Sequence, residues 1–179
     1  SYYCQPFLGK RKPTNNLNPA LIKKCNNTME KLVTGDLIDE ADIIVFSPRW
    51  TESGVGHIAD TIGLIRIRTD TPILLLGRTV EFSSVPQLLL KYGRFAGFGR
   101  YAALNRVDLT AINTRLEQIA RQTGVGYLPK DTLVCPDGEH CDVLDDRDRL
   151  LIYDHGHWTL EGAAFYGNRM AKSGFLDAI

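Results

Sequence analysis

Three short apolar runs separated by helical periodicity limit this chain's fold more than any other feature. They are Ala41-Asp-Ile-Ile-Val-Phe-Ser47, Pro72-Ile-Leu-Leu-Leu-Gly77 and Val125-Gly-Tyr-Leu128. Each is too brief for a helix, and the first two lack the polar alternation of a half-exposed strand, so they read as strands buried inside a sheet. Residues 54 to 68 place Ile58, Ile62 and Ile65, with neighbouring Leu64, on one helical face. Ala102 to Thr123 keeps Leu104, Val107, Leu109, Ile112, Leu116, Ile119 and Ala120 at helical spacings, and Gly124 closes the run. A further helix is predicted from Pro19, suited to a first helical position, to Leu32, and another from Leu160 to Lys172 with Thr159 as N-cap. Between Arg78 and Gly99 the glycines and Pro86 predict a loop with a helical turn at Gln87 to Tyr92. Strands alternating with helices predict an α/β fold of three layers around a parallel sheet. Such sheets place their sites beyond the carboxyl ends of the strands, which points to Ser47–Ser53, Gly77–Glu81 and the Tyr153–Trp158 loop.

The chain has 179 residues, enough for one domain with its own core. Lys plus Arg and Asp plus Glu both number 21, so no basic excess exists to bind a nucleic-acid backbone, and that class is excluded. The longest apolar runs are far too short to span a bilayer. The sequence opens on Ser1 rather than Met, which is read as a cut or processed terminus, so a missing signal carries little weight. The four cysteines, Cys4, Cys25, Cys135 and Cys141, form two local pairs, neither with the C-x-x-C spacing of a zinc knuckle or redox motif. Three connectivities are open, and the local one, Cys4–Cys25 with Cys135–Cys141, is the simplest. Disulfides persist in oxidising compartments, which points to a periplasm or the cell exterior.

Tyr153-Asp-His-Gly-His-Trp-Thr-Leu-Glu-Gly-Ala163 is the most chemically informative stretch. Asp154 and His157 lie three apart in a turn, ahead of a Thr-capped helix. A histidine acting as general base needs one ring nitrogen held by an acceptor so that the other can take a proton, and Asp154 is placed to be that acceptor. The same residues also suit a helix-capping role packed on Trp158. A metal site of Asp154, His155, His157 and His140 is a further reading of the H-x-H spacing. The acidic run Asp142 to Asp148 lacks the Gly-and-Glu pattern of a calcium loop and reads as a solvated turn.

Asp154-His-Gly-His157-Trp-Thr-Leu-Glu-Gly-Ala163 resembles the final block of SGNH hydrolases. Cys4-Gln-Pro-Phe-Leu-Gly9, Cys25-Asn26, Ala41 to Trp50 and the Cys135/Cys141 pair extend the resemblance along nearly the whole chain. Together they resemble the branch fused to membrane acyltransferases of the acyltransferase-3 type, whose members O-acylate surface polysaccharides such as lipopolysaccharide O-antigen. The resemblance implies a flavodoxin-like α/β/α sandwich and a Ser-Asp-His triad in which Asp154 orients and His157 is the base. It implies an acyl, most simply acetyl, group delivered from acetyl-CoA by an upstream transmembrane acyltransferase domain, with no cofactor bound here. The acceptor would be a polysaccharide or glycolipid, on the periplasmic side of a bacterial inner membrane.

Two departures from the family pattern stand out. The Gly-Asp-Ser block that carries the family's nucleophile is expected upstream of Ser1, and Ser47, Ser53, Ser83 and Ser84 have no such context. The oxyanion asparagine of the Gly-x-Asn-Asp block is replaced by Ser47-Pro-Arg-Trp50, where Arg49 can donate to an oxyanion, bind substrate or brace the sheet edge. Trp50 and Trp158 can serve as sugar platforms or as core residues. A carbohydrate esterase of the same superfamily, or a non-catalytic glycan-binding module, are the alternatives.

Overall fold

The structure, a computed structural model, describes residues 5, 7–8, 19–93, 95 and 97–175, the side chains of residues 33 and 34 excepted. The elements run α1 (Pro19–Thr34), β1 (Ile44–Phe46), α2 (Glu52–Arg66), β2 (Ile73–Leu76), α3 (Val85–Tyr92), α4 (Phe98–Leu104), α5 (Thr110–Thr123), β3 (Gly126–Leu128), α6 (Lys130–Val134) and α7 (Leu160–Lys172). They fall into two compact units, Ser1–Arg78 with Thr110–Leu128, and Thr79–Leu109 with Pro129–Ile179.

The first unit holds the sheet. Its strands lie in the order β1-β2-β3, all parallel, as the alternation of strands and helices predicts. Ile44 pairs with Ile73, and Phe46 with Leu75, which in turn pairs with Tyr127. Ile73 and Leu75 therefore point to one face, where α2 supplies Val55, Ile58, Ile62 and Ile65 and α5 supplies Leu116 and Ile119. The α2 spacing of three, four and three residues is one helical stripe, and burying each isoleucine stabilises by about 2 kcal/mol. Thr51 caps α2, accepting a hydrogen bond from the Gly54 N–H. Leu64, expected on the apolar face, is exposed.

Two further expectations need correction. The first strand spans only Ile44–Phe46, and Val45 is 48% exposed, so it is not buried on both faces. Among the described residues β1 pairs with β2 alone, which leaves its other edge without a strand. The long helix from Ala102 to Thr123 is two helices, α4 and α5. Val107 N–H donates to Glu81 O and Arg106 bridges Phe82, so an extended pairing interrupts the helical run. Leu104 and Val107 are exposed as a result, although they share the apolar periodicity.

The second unit contains α3, α4, α6 and α7, with isolated antiparallel bridges Phe82–Arg106, Leu144–Leu150 and Ile152–Trp158. Cys135 and Cys141 form a disulfide, as the local pairing predicts. The Cys4–Cys25 pairing lies outside the described residues. The polar, acidic stretch from Lys130 to Arg149 opens with α6. Its acidic residues are engaged: Asp145 accepts from the Arg147 and Arg149 backbone and pairs with the Arg149 side chain, and Asp142 pairs with Arg169 at 2.7 Å. Thr159 caps α7 by accepting from Gly162 N–H, and its own hydroxyl donates to Leu150 O.

Candidate active site

The second unit presents Asp154 and His157 on a tight hairpin ahead of α7. The Ile152–Trp158 bridge and a Tyr153 N–H to His157 O bond of 3.0 Å close the hairpin at its base. Within it, Asp154 Oδ1 accepts from both the Gly156 and the His157 N–H at 2.9 Å. The other oxygen, Oδ2, lies 2.6 Å from His157 Nδ1. The carboxylate thus fixes the turn with one oxygen and holds the imidazole with the other, as the three-residue spacing predicts. Partial burial pushes the Asp154 pKa up, but the two backbone N–H groups and the His157 ring outweigh it and hold the group down at about 2. Asp154 is therefore an acceptor at neutral pH, so the ring nitrogen that faces it, Nδ1, is one that carries a proton.

The floor under this hairpin is the segment that leaves β2. His155 Nδ1 lies 3.1 Å from Phe82 O, and Phe82 N–H donates to His155 O. His155 and His157 are thereby held through Nδ1 by different partners. Among the described residues no three His, Cys, Asp or Glu side chains converge as a metal-ligand set. Gly156 fits closely: a Cβ there would stand 3.0 Å from Val80 O. The Tyr153 ring, half exposed, stacks on the His157 ring at 5.6 Å with 20° between planes. Trp158 packs on Tyr166 at 4.8 Å and lies under the Lys130 ammonium, and its indole N–H is buried without an acceptor.

Arg49 and Trp50 belong to the first unit, in the loop between β1 and α2. Arg49 is exposed, and its carbonyl accepts from the Gln5 side-chain amide at 2.9 Å. Trp50 is fully buried, and its indole N–H donates to Leu76 O at 2.7 Å. With no exposed face, that ring is no sugar platform; it anchors the loop that carries Arg49. Arg78, within the Gly77–Glu81 segment that the sequence marks, sits buried at the end of β2 and donates to Trp50 O. Asn113 clamps the Arg78 backbone, accepting from its N–H and donating to its C=O. A charged residue directly after a strand ending in Gly77 is the signal that marks it.

A parallel α/β sheet and a carboxylate-held imidazole on the loop before the last helix define the class of protein. Residues 2–172 match the family model described as SGNH domain (fused to AT3 domains), and the chain belongs to that family. A solved structure, the periplasmic domain of a lipopolysaccharide acetyltransferase of Salmonella ser. Paratyphi A, superposes with a TM-score of 0.66 at 14% identity. The match covers 94% of this chain and 67% of that one, and it establishes an SGNH-like α/β fold. No curated protein sequence matches the chain. Among the described residues no helix is long and apolar enough to cross a membrane.

Proposed function

We propose that this domain catalyses O-acyl transfer, most simply of acetyl, to a hydroxyl of a cell-surface polysaccharide on the periplasmic side of the inner membrane. The observation that carries the reading is the 2.6 Å contact between Asp154 Oδ2 and His157 Nδ1, with Asp154 pinned by two backbone N–H groups. A general base has to be held in one tautomer and one orientation, and this hairpin does both. The family's fusion to AT3 domains, and the acetyltransferase named for the structural neighbour, support the choice of acyl transfer. The donor acetyl group would come from acetyl-CoA through the fused membrane domain.

In the first step a serine Oγ–H, expected in a Gly-Asp-Ser block upstream of Ser1, gives its proton to His157 Nε2 and attacks the acyl carbonyl. The donor leaves with that proton, and a serine ester remains. In the second step His157 takes the proton of a sugar hydroxyl, whose oxygen attacks the ester, and the proton returns to the serine. Exclusion of water in favour of a sugar is what separates this reaction from ester hydrolysis.

The test uses the full-length enzyme in membranes, labelled acetyl donor and purified polysaccharide. Label should appear on the polysaccharide, and omission of acceptor should leave label on a serine of the protein. Release of free acetate at an undiminished rate in the presence of acceptor identifies an esterase instead. Polysaccharide binding with no labelled protein or product identifies a binding module.

A further inference from the structure

We propose that Tyr153 is a positioning residue for His157, setting the plane of the imidazole while Asp154 holds its edge. A hydrogen bond from Nδ1 to a carboxylate anchors one point of the ring and by itself leaves the tilt of the ring plane free. Proton transfer at Nε2 needs that nitrogen aimed at its partner, so the tilt has to be set as well. The Tyr153 ring lies against the His157 ring, with centroids 5.6 Å apart and 20° between planes, an offset stack. A contact across the faces of the two rings restrains the motion that the Asp154 bond permits.

The register of the hairpin builds this contact. Ile152 bridges Trp158, so Tyr153 and His157 are the next opposed pair, joined by the Tyr153 N–H to His157 O bond of 3.0 Å. Opposed residues present their side chains on one face, and successive residues alternate between faces. Ile152 is fully buried, which sends Tyr153 and His157 together to the outer face. The neighbouring rings of the hairpin are engaged elsewhere, since His155 Nδ1 faces Phe82 O and Trp158 packs on Tyr166. Tyr153 is 52% exposed, so its replacement leaves the core intact. A stack uses the ring and not the hydroxyl, so phenylalanine serves as well as tyrosine. The kinetic consequence rests on the acyl-transfer reading, whereas the contact itself rests on the hairpin alone.

Two measurements test it. In the 179-residue chain with isotope-labelled histidine, the His157 ring resonances are identified by their loss in His157→Ala. They should move in Tyr153→Leu and stay close to wild type in Tyr153→Phe. In full-length enzyme, Tyr153→Leu should lower kcat for polysaccharide acetylation roughly three- to tenfold, the worth of one aromatic pair. KM and the unfolding midpoint should stay near wild type, and Tyr153→Phe should keep the wild-type rate. His157 resonances that do not move in Tyr153→Leu overturn the proposal. A wild-type kcat with a raised KM for polysaccharide assigns Tyr153 to the acceptor and overturns it too. A Phe variant as slow as the Leu variant assigns the work to the hydroxyl, with the same result. If the resonances move as expected but wild-type enzyme acetylates nothing, the positioning of His157 stands and the acyl-transfer reading alone falls.

Discussion

Replacing Gly162 with alanine probes the junction that holds the Asp154–His157 hairpin on α7. Gly162 lies three residues after the Thr159 cap, where alanine normally improves a helix by up to about 1 kcal/mol. Here a Cβ would stand 2.0 Å from Leu151 O, 2.9 Å from Leu151 C and 3.2 Å from Leu151 Cα. All three are backbone atoms, so no side-chain rotation relieves the clash and the helix start has to retreat. Retreat breaks the Thr159 N–H bond to Leu151 O and the Thr159 hydroxyl bond to Leu150 O. Two lost hydrogen bonds cost about 2 kcal/mol, and disturbed packing around fully buried Leu151 and Tyr166 adds about 1–3 kcal/mol. After the propensity gain the net loss is about 2–4 kcal/mol. Urea titration followed by circular dichroism reads it directly, with wild-type and variant compared at equal m-value. Gly167 in the same helix is the internal control, because a Cβ there meets nothing within 4 Å. Gly167→Ala should be neutral or stabilising by up to about 1 kcal/mol. A Gly162→Ala protein as stable as wild type would refute the close-packed account of this junction.

Replacing both Cys135 and Cys141 with serine should cost about 2 kcal/mol, the chain-entropy value for so short a loop, read as a drop in urea midpoint that reducing agent does not deepen. Arg78→Met should cost about 1–3 kcal/mol by leaving Trp50 O without its buried donor, measured by thermal unfolding. Asp154 has a folded pKa near 2, below its ordinary 3.8, so its stabilising contribution is complete above pH 4 and fades as pH falls toward 2. The stability gap between wild type and Asp154→Asn should accordingly narrow over that window in acid unfolding titrations.

The parts of the fold legible in the sequence were those where one local rule decided the outcome. Ile58, Ile62 and Ile65 repeat with helical period and bury in α2, while Ile73-Leu-Leu-Leu76 admits only a buried strand. Thr159 marks the start of α7 by capping chemistry alone. What escaped depended on partners distant in sequence. The helical period of Ala102 to Thr123 runs unbroken, and only the pairing of residues 106 and 107 with residues 81 and 82 breaks it. Val45 has the composition of a buried residue, but its exposure is set by what covers its face of the sheet, which no local rule reports. At the site, the Asp154–His157 contact is a short-range turn and was readable. The burial of Trp50, and the roles of Arg78 and Phe82 in fixing the two loops, follow from contacts between segments at least 26 residues apart.

The central claim is that Asp154 and His157 work as one acid–base unit. Its most direct test is the initial rate of polysaccharide acetylation by full-length enzyme carrying His157→Ala, Asp154→Asn, or both, with unfolding midpoints measured alongside. The account expects each single change to lower turnover by about 10⁴, as loss of an orienting aspartate does in such triads, and the double change to add little further. His155→Ala should retain far more activity, because its ring is bonded to Phe82 and not to Asp154. Turnover within a few-fold of wild type in folded His157→Ala enzyme would contradict the account.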